Sequence, residues 1–326
     1  MPTAWRSVVI TIRGTFSLED CVTDVLISPE SLAELGSEFG FDASEQYCHG
    51  GMLACVRNVY RDLQHHNLLD RLLYGNDAQY PDYTLRIVGH SLGASTGTIL
   101  SFMLRQKFPT LRCINYSPPG HSISWEMAIE CQEWCNTFIL DSDLVPRLSL
   151  LAMEKLRDEI LSLIGRVKVP KIEVAGRLVR GSGLSSCHCF ENEIEIEDEL
   201  AEDVNRLLFD PVQIPPSEYQ QQLAHFQQVQ EERRESRGLT REVKLFPPGK
   251  IVHVVKAGEN RTCAHNFSKC LTCGASNAGS FYTPIWIDND DLNEIVVSPT
   301  MGTDHFPNRI SATLQAVASN YGISQR

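Results

Sequence analysis

The chain has 326 residues, 42% of them hydrophobic, enough apolar material to bury one large core. Its 41 acidic residues outweigh 29 basic ones to give a net charge of −12. No concentrated stripe of Lys and Arg is present to grip a phosphate backbone, which excludes nucleic acid as a partner, and the charge offers no attraction to an anionic lipid surface.

Residues 7–12 (Ser-Val-Val-Ile-Thr-Ile) are mostly β-branched and read as a strand that ends at Arg13-Gly14-Thr15. Further strands are predicted at 84–88, 111–116, 136–140, 171–175, 251–255 and 281–287. Helical patterns lie between most of them, at 46–73, 92–106, 122–134 and 148–164, with a last helix after Pro307. This alternation predicts an α/β fold, a mostly parallel sheet flanked by helices, within a single domain over 1–326.

Residues 181–248 break the rhythm with an acidic block from Glu191 to Asp203 and a Gln/Glu/Arg-rich stretch from Gln220 to Arg237. They read as a long acidic insertion, either a solvated loop or a lid that gates a site. Residues 257–280 form a Cys-rich loop. No apolar run is long enough to span a bilayer, so membrane contact is expected from the surface only. The opening segment is too short for a secretory signal, and 11 cysteines without the spacing of a disulfide scaffold point to a reducing, cytosolic setting.

Residues 85–93 (Leu-Arg-Ile-Val-Gly-His-Ser-Leu-Gly) end an apolar strand in the pattern G-x-S-x-G and run directly into a helix. A serine at the tip of such a turn adopts strained backbone angles, and side chains two residues either way would collide. Gly89 and Gly93 remove those side chains, so Gly89, His90 and Gly93 form a nucleophile elbow around Ser91, the candidate nucleophile.

A serine hydroxyl attacks only when a base takes its proton and a carboxylate holds that base in the right tautomer. Past the strand at 136–140, Asp141-Ser142-Asp143 offers carboxylates at a strand's carboxyl end, with Asp143 the expected partner and Asp141 the reserve. Five histidines follow: His188 and His225 in the insertion, His253 within an apolar run where it reads as structural, His265 in the Cys-rich loop, and His305. His305 lies between the last strand and the last helix and is the expected base. Two N–H groups are needed for the oxyanion, expected from Leu92 at the helix start and Thr15 at the end of the first strand.

The segments Val-Val-Ile-Thr-Ile-Arg-Gly-Thr (8–15), Cys-His-Gly-Gly-Met (48–52), Val-Gly-His-Ser-Leu-Gly-Ala (88–94), Tyr-Ser-Pro-Pro-Gly (116–120), Asp-Leu-Val-Pro-Arg (143–147), Pro-Pro-Gly-Lys-Ile-Val-His-Val-Val (247–255) and Asp-His-Phe-Pro (304–307) together resemble the class 3 lipases, and within them the sn-1-specific diacylglycerol lipases. The resemblance implies an α/β-hydrolase fold, here lacking its first strands, with Ser91, Asp143 and His305 at the family's triad positions. It implies hydrolysis of the sn-1 acyl ester of diacylglycerol to 2-monoacylglycerol and a fatty acid through an acyl-enzyme. The expected setting is the cytoplasmic side of a membrane, the plasma membrane, with this chain peripheral because the transmembrane helices of larger members are absent from it.

No cofactor is required for that chemistry; the resemblance adds calcium as a stimulating ion, for which the sequence assigns no ligands. A phospholipase A1, a broad-specificity esterase and a non-catalytic hydrolase-like scaffold are the competing readings. Cys263, Cys270 and Cys273 read as exposed or acylated thiols, as buried cysteines or, with His265, as a zinc site, and none is assigned as a metal ligand.

Overall fold

A six-stranded sheet lies at the centre of the computed structural model, which describes residues 6–14, 28–75, 77–166, 228, 243–257 and 281–323. The chain divides into two units. One comprises Met1–Met153, Arg241–Arg261 and Asn277–Arg326, and the other Glu154–Thr240 and Thr262–Ser276; the sheet belongs to the first.

In chain order the first unit runs β1 (Ser7–Ile12), β2 (Pro29–Ser31), α1 (Ala33–Phe39), β3 (Tyr47–His49), α2 (Gly50–His65), α3 (Leu68–Leu73), β4 (Thr84–His90), α4 (Leu92–Arg105), β5 (Arg112–Tyr116), α5 (Trp125–Glu130) and β6 (Cys135–Leu140). The helix α6 (Leu150–Arg166) follows, then β7 (Lys250–Ala257), β8 (Phe281–Ile287) and α7 (Pro307–Asn320). The sheet order is β1-β4-β5-β6-β7-β8, parallel throughout except for the antiparallel pair β7–β8. This is the mostly parallel, helix-flanked sheet that the alternation of patterns predicts. β1 is an edge strand, paired with β4 alone among the described residues.

The sequence pattern predicts one helix over 46–73, whereas the structure has three elements there. Residues 47–49 pair with β2 instead of starting the helix, and Asn67, in the left-handed region at φ 47°, separates α2 from α3. Residues 245–248, grouped with the insertion by composition, are buried. Leu245 and Phe246 are buried, and Phe246 exchanges two backbone hydrogen bonds with Ile123. The rest of the expected insertion apart from residue 228, the predicted strand at 171–175, Thr15 and Cys263, His265, Cys270 and Cys273 lie outside the described residues.

α4 is buried on all sides, from Gly93 to Leu104. A helix enclosed in this way must satisfy its own polar side chains. Thr96, Thr98 and Ser101 do so by donating to the carbonyls of Leu92, Ala94 and Gly97, one turn back. Gly97 lets the helix approach β4, because a Cβ there would already touch Ile87 at 3.0 Å. The helix thus rests against the strand whose carboxyl end it leaves.

Where the chain re-enters the sheet before β7, Asn289 holds it. Its side-chain amide donates to the carbonyls of Pro247 (2.7 Å) and Gly249 (3.0 Å) and its carbonyl accepts from Gln132 (2.8 Å), with 1% of the residue exposed. Asn289→Ala strands two buried carbonyls, and we expect it to cost about 2–4 kcal/mol, read as a lower urea midpoint with an unchanged m-value.

Candidate active site

The residues at issue gather at the carboxyl ends of the parallel strands, where α/β sheets form their ligand crevices. Ser91 follows the last residue of β4 and stands at the N-terminus of α4, with φ 56° and ψ −132°. The steric reason for the flanking glycines is visible. A Cβ on Gly89 would lie 2.3 Å from the Gly93 carbonyl oxygen, and one on Gly93 would lie 2.3 Å from that of Ile12. Gly14 adds a third close approach, since a Cβ there would lie 2.7 Å from Ser91 Cβ. The end of β1 therefore presses against the turn that carries Ser91, and Thr15 is the next residue.

Ser91 is not alone in its backbone conformation. Ser117, directly after β5, has φ 50°, and Asp141, directly after β6, has φ 38°. Each of the three donates its N–H to the neighbouring strand, Ser91 to Tyr116, Ser117 to Phe138 and Asp141 to Val254, before the chain turns away. The ladder thus extends one residue past each strand and stops in the left-handed region.

Asp143 and His305, 162 positions apart, are brought into contact. His305 Nδ1 lies 3.1 and 3.3 Å from the two Asp143 carboxylate oxygens, with Asp143 fully buried and His305 6% exposed. A carboxylate only accepts, so Nδ1 carries the proton and Nε2 keeps a lone pair. The two loops are also joined through backbone, Leu144 N–H donating to the Met301 carbonyl, and Val145 N–H donates to Asp143 Oδ1. At Asp141 the picture differs. Its carboxylate accepts the Lys256 N–H and its carbonyl accepts from His253 Nε2 at 2.7 Å, so the reserve carboxylate closes the β6–β7 end of the sheet. His253 is structural, as its place in an apolar run implies.

His90 connects this pair to the Ser91 turn. Its Nε2–H donates to the His305 carbonyl at 2.8 Å, and the two imidazoles pack with centroids 4.6 Å apart. Ser91, Asp143 and His305 are all buried. The Leu92 N–H opens α4 beside Ser91, in the positive end of the helix field.

Two features are not legible from the motifs alone. Arg147 is 8% exposed and donates to the Glu294 carbonyl at 3.4 Å and, at the limit of a hydrogen bond, to that of Asp141. Burial lowers its pKa, opposed by the negative charge of Asp143, Asp141 and Glu294. Its position in Asp-Leu-Val-Pro-Arg is a signal only once the loop's path is known. The second is the contact of His90 with a residue 215 positions away. Among the described residues no group of three or more His, Cys, Asp or Glu is placed to hold a metal ion, and calcium enters no step.

The class 3 lipase family model matches residues 9–153, a stretch that holds Ser91, its glycines and Asp143. Over these residues the chain is similar to the class 3 lipases. Diacylglycerol lipase-alpha of Homo sapiens is 31% identical over 318 residues, covering 97% of this chain and 26% of that protein. Diacylglycerol lipase-beta of Mus musculus is 27% identical over 320 residues, 97% of this chain and 43% of its own length. The chain therefore corresponds to less than half of these relatives. Among solved structures, mono- and diacylglycerol lipase from Aspergillus oryzae has a TM-score of 0.38 and 24% identity, covering 46% of this chain and 51% of that one. Lip2 lipase from Yarrowia lipolytica has a TM-score of 0.38 and 18% identity over 45% of this chain and 55% of its own.

Burial also shifts two imidazoles at this end of the sheet. It lowers the pKa of His90, helped by the facing His305, and that of His253, opposed by its hydrogen bond to Asp141. The unfolded chain takes up these protons near pH 6.5, and the folded chain only at lower pH. The stability they confer is thus complete above pH 6.5 and lost as pH falls toward the folded values. We expect urea stability to decline as pH falls below 6.5, each imidazole contributing at most about 1.4 kcal/mol per pH unit. His253→Gln, which keeps a donor but cannot titrate, should flatten the decline.

Proposed function

We propose that the chain is a serine lipase that hydrolyses the sn-1 acyl ester of diacylglycerol, releasing a fatty acid and 2-monoacylglycerol. The contact between Asp143 and His305, tied through His90 to the turn that strains Ser91, carries this reading. His305 Nε2 takes the proton of Ser91 Oγ as that oxygen attacks the ester carbonyl. The oxyanion is held by the Leu92 N–H, with Thr15 as the second donor, and collapse expels the glyceride alkoxide, which takes the proton from His305. Water, deprotonated by the same imidazole, then cleaves the acyl-enzyme.

The similarity to diacylglycerol lipase-alpha and -beta supports acylglycerol as the substrate class. Apolar side chains near the candidate base support a lipid. Phe306, next to His305, is 47% exposed, and Val297, in the loop that leads to it, is 68% exposed. No helix among the described residues is long and apolar enough to cross a membrane. Diacylglycerol resides in bilayers, so this reading has the chain meet its substrate at a membrane surface, on the cytoplasmic side and at the plasma membrane by the resemblance.

Ser91→Ala should lower turnover by about six orders of magnitude and Asp143→Asn by about four, with thermal unfolding close to that of the parent. Asp141→Asn should spare turnover. Diacylglycerol with distinguishable chains at sn-1 and sn-2 should yield the sn-1 acid, ahead of triacylglycerol and phosphatidylcholine in rate. Preference for phosphatidylcholine would make it a phospholipase A1. Failure of a fluorophosphonate to label Ser91 in folded protein would leave a hydrolase-like scaffold.

A further inference from the structure

We propose that His90 is a positioning residue, which holds the His305 loop at the nucleophile turn by donating from Nε2 to the His305 carbonyl and packing its ring against the His305 imidazole. It rests on the reading of Ser91, Asp143 and His305 as one catalytic unit.

The contact to Asp143 alone leaves His305 one degree of freedom that matters. A hydrogen bond to Nδ1 fixes the tautomer, yet the ring can still swing about that bond and carry Nε2 away from the β4 turn. His90 supplies two further restraints on the same residue, at the backbone by a 2.8 Å hydrogen bond and at the ring by packing at 4.6 Å with the planes 40° apart. Both restraints come from the residue covalently bonded to Ser91. Movement of the β4 turn therefore carries the base loop with it, and the reacting atoms keep their separation.

The hydrogen bond needs an N–H at Nε2, which a neutral ring supplies in its Nε2–H tautomer. The groups facing His90 are His305 and Asp143; burial and His305 disfavour its protonated form, and Asp143 acts in the opposite sense. A neutral ring with its proton on Nε2 also adds no positive charge beside His305, which must become an imidazolium during the reaction. An aliphatic residue at position 90 would satisfy the strand and leave the His305 carbonyl and ring unrestrained.

The test separates donor from ring and reads position apart from turnover. His90→Phe keeps an aromatic ring and removes the donor; His90→Gln keeps an amide donor at about the place of Nε2. Each is assayed on a soluble short-chain p-nitrophenyl ester, and each is prepared with nitrogen-15-labelled histidine to observe the downfield proton on His305 Nδ1, which reports the contact to Asp143. We expect His90→Phe to lower kcat by about 10- to 100-fold, the scale of a misplaced reacting group, with KM unchanged and the downfield proton broadened or lost. His90→Gln should recover most of kcat and the sharp resonance. If His90→Phe does not fold, His90→Asn, whose amide falls short of the carbonyl, takes its place. Parent-like kcat and resonance in the donor-less variant, or an equal loss in His90→Gln, overturns the proposal. Should the parent protein hydrolyse no ester, the lipase reading fails, and the resonance still decides the role of His90: lost without the donor and kept with it supports positioning, present in every variant refutes it.

Discussion

Backbone meets backbone at Gly14, Gly89 and Gly93, and no side chain can be placed at any of the three without displacing a neighbouring main chain. The end of β1, the turn after β4 and the first turn of α4 cross within that space. This close crossing is what forces Ser91 to φ 56° and leaves its hydroxyl at the start of a helix instead of in a strand. Strain of this kind costs of the order of 1–3 kcal/mol and survives only where surrounding contacts over-determine it. The enclosed helix α4, packed on β4 along its length, supplies those contacts.

Opposite this rigid turn stands a pair assembled from distant parts of the chain. Asp143 comes from the loop after β6 and His305 from the loop before α7, and their contact is reinforced by the backbone hydrogen bond from Leu144 to Met301. The charge distribution supports a division of labour between the two neighbouring aspartates. Asp143 is buried against His305, while Asp141 spends its acceptors on Lys256 and His253. Arg147 lies buried beside both, a positive charge near the carboxylate that must stabilise an imidazolium.

Much of this was legible in residue order because the signals are steric or periodic. The β-branched run at 7–12 and the apolar runs ending at His90 and Leu140 become strands with few changes of boundary, since such residues suit a pleated, half-buried surface. Ser91 is marked by the glycines its turn requires. The choice between Asp141 and Asp143 is less plain, because both follow the same strand, and what separates them is the left-handed conformation of Asp141 and its hydrogen bond to β7. Phe246 was hidden for another reason: a two-residue apolar pair after a charged stretch carries no periodicity, and its burial comes from a bridge to Ile123. The contact of His90 with His305 depends on the return of the chain after β8, which no local pattern encodes.

The three left-handed residues after β4, β5 and β6 restrict what these corners can hold. A β-branched side chain tolerates positive φ poorly, so threonine, valine and isoleucine are disfavoured at 91, 117 and 141 alike. Threonine, the other aliphatic alcohol among the amino acids, is therefore a poor substitute for Ser91 on conformational grounds, before any question of reactivity arises. Cysteine, unbranched and close to serine in shape, meets no such objection. The backbone thus limits the attacking atom available at this corner to an unbranched alcohol or thiol.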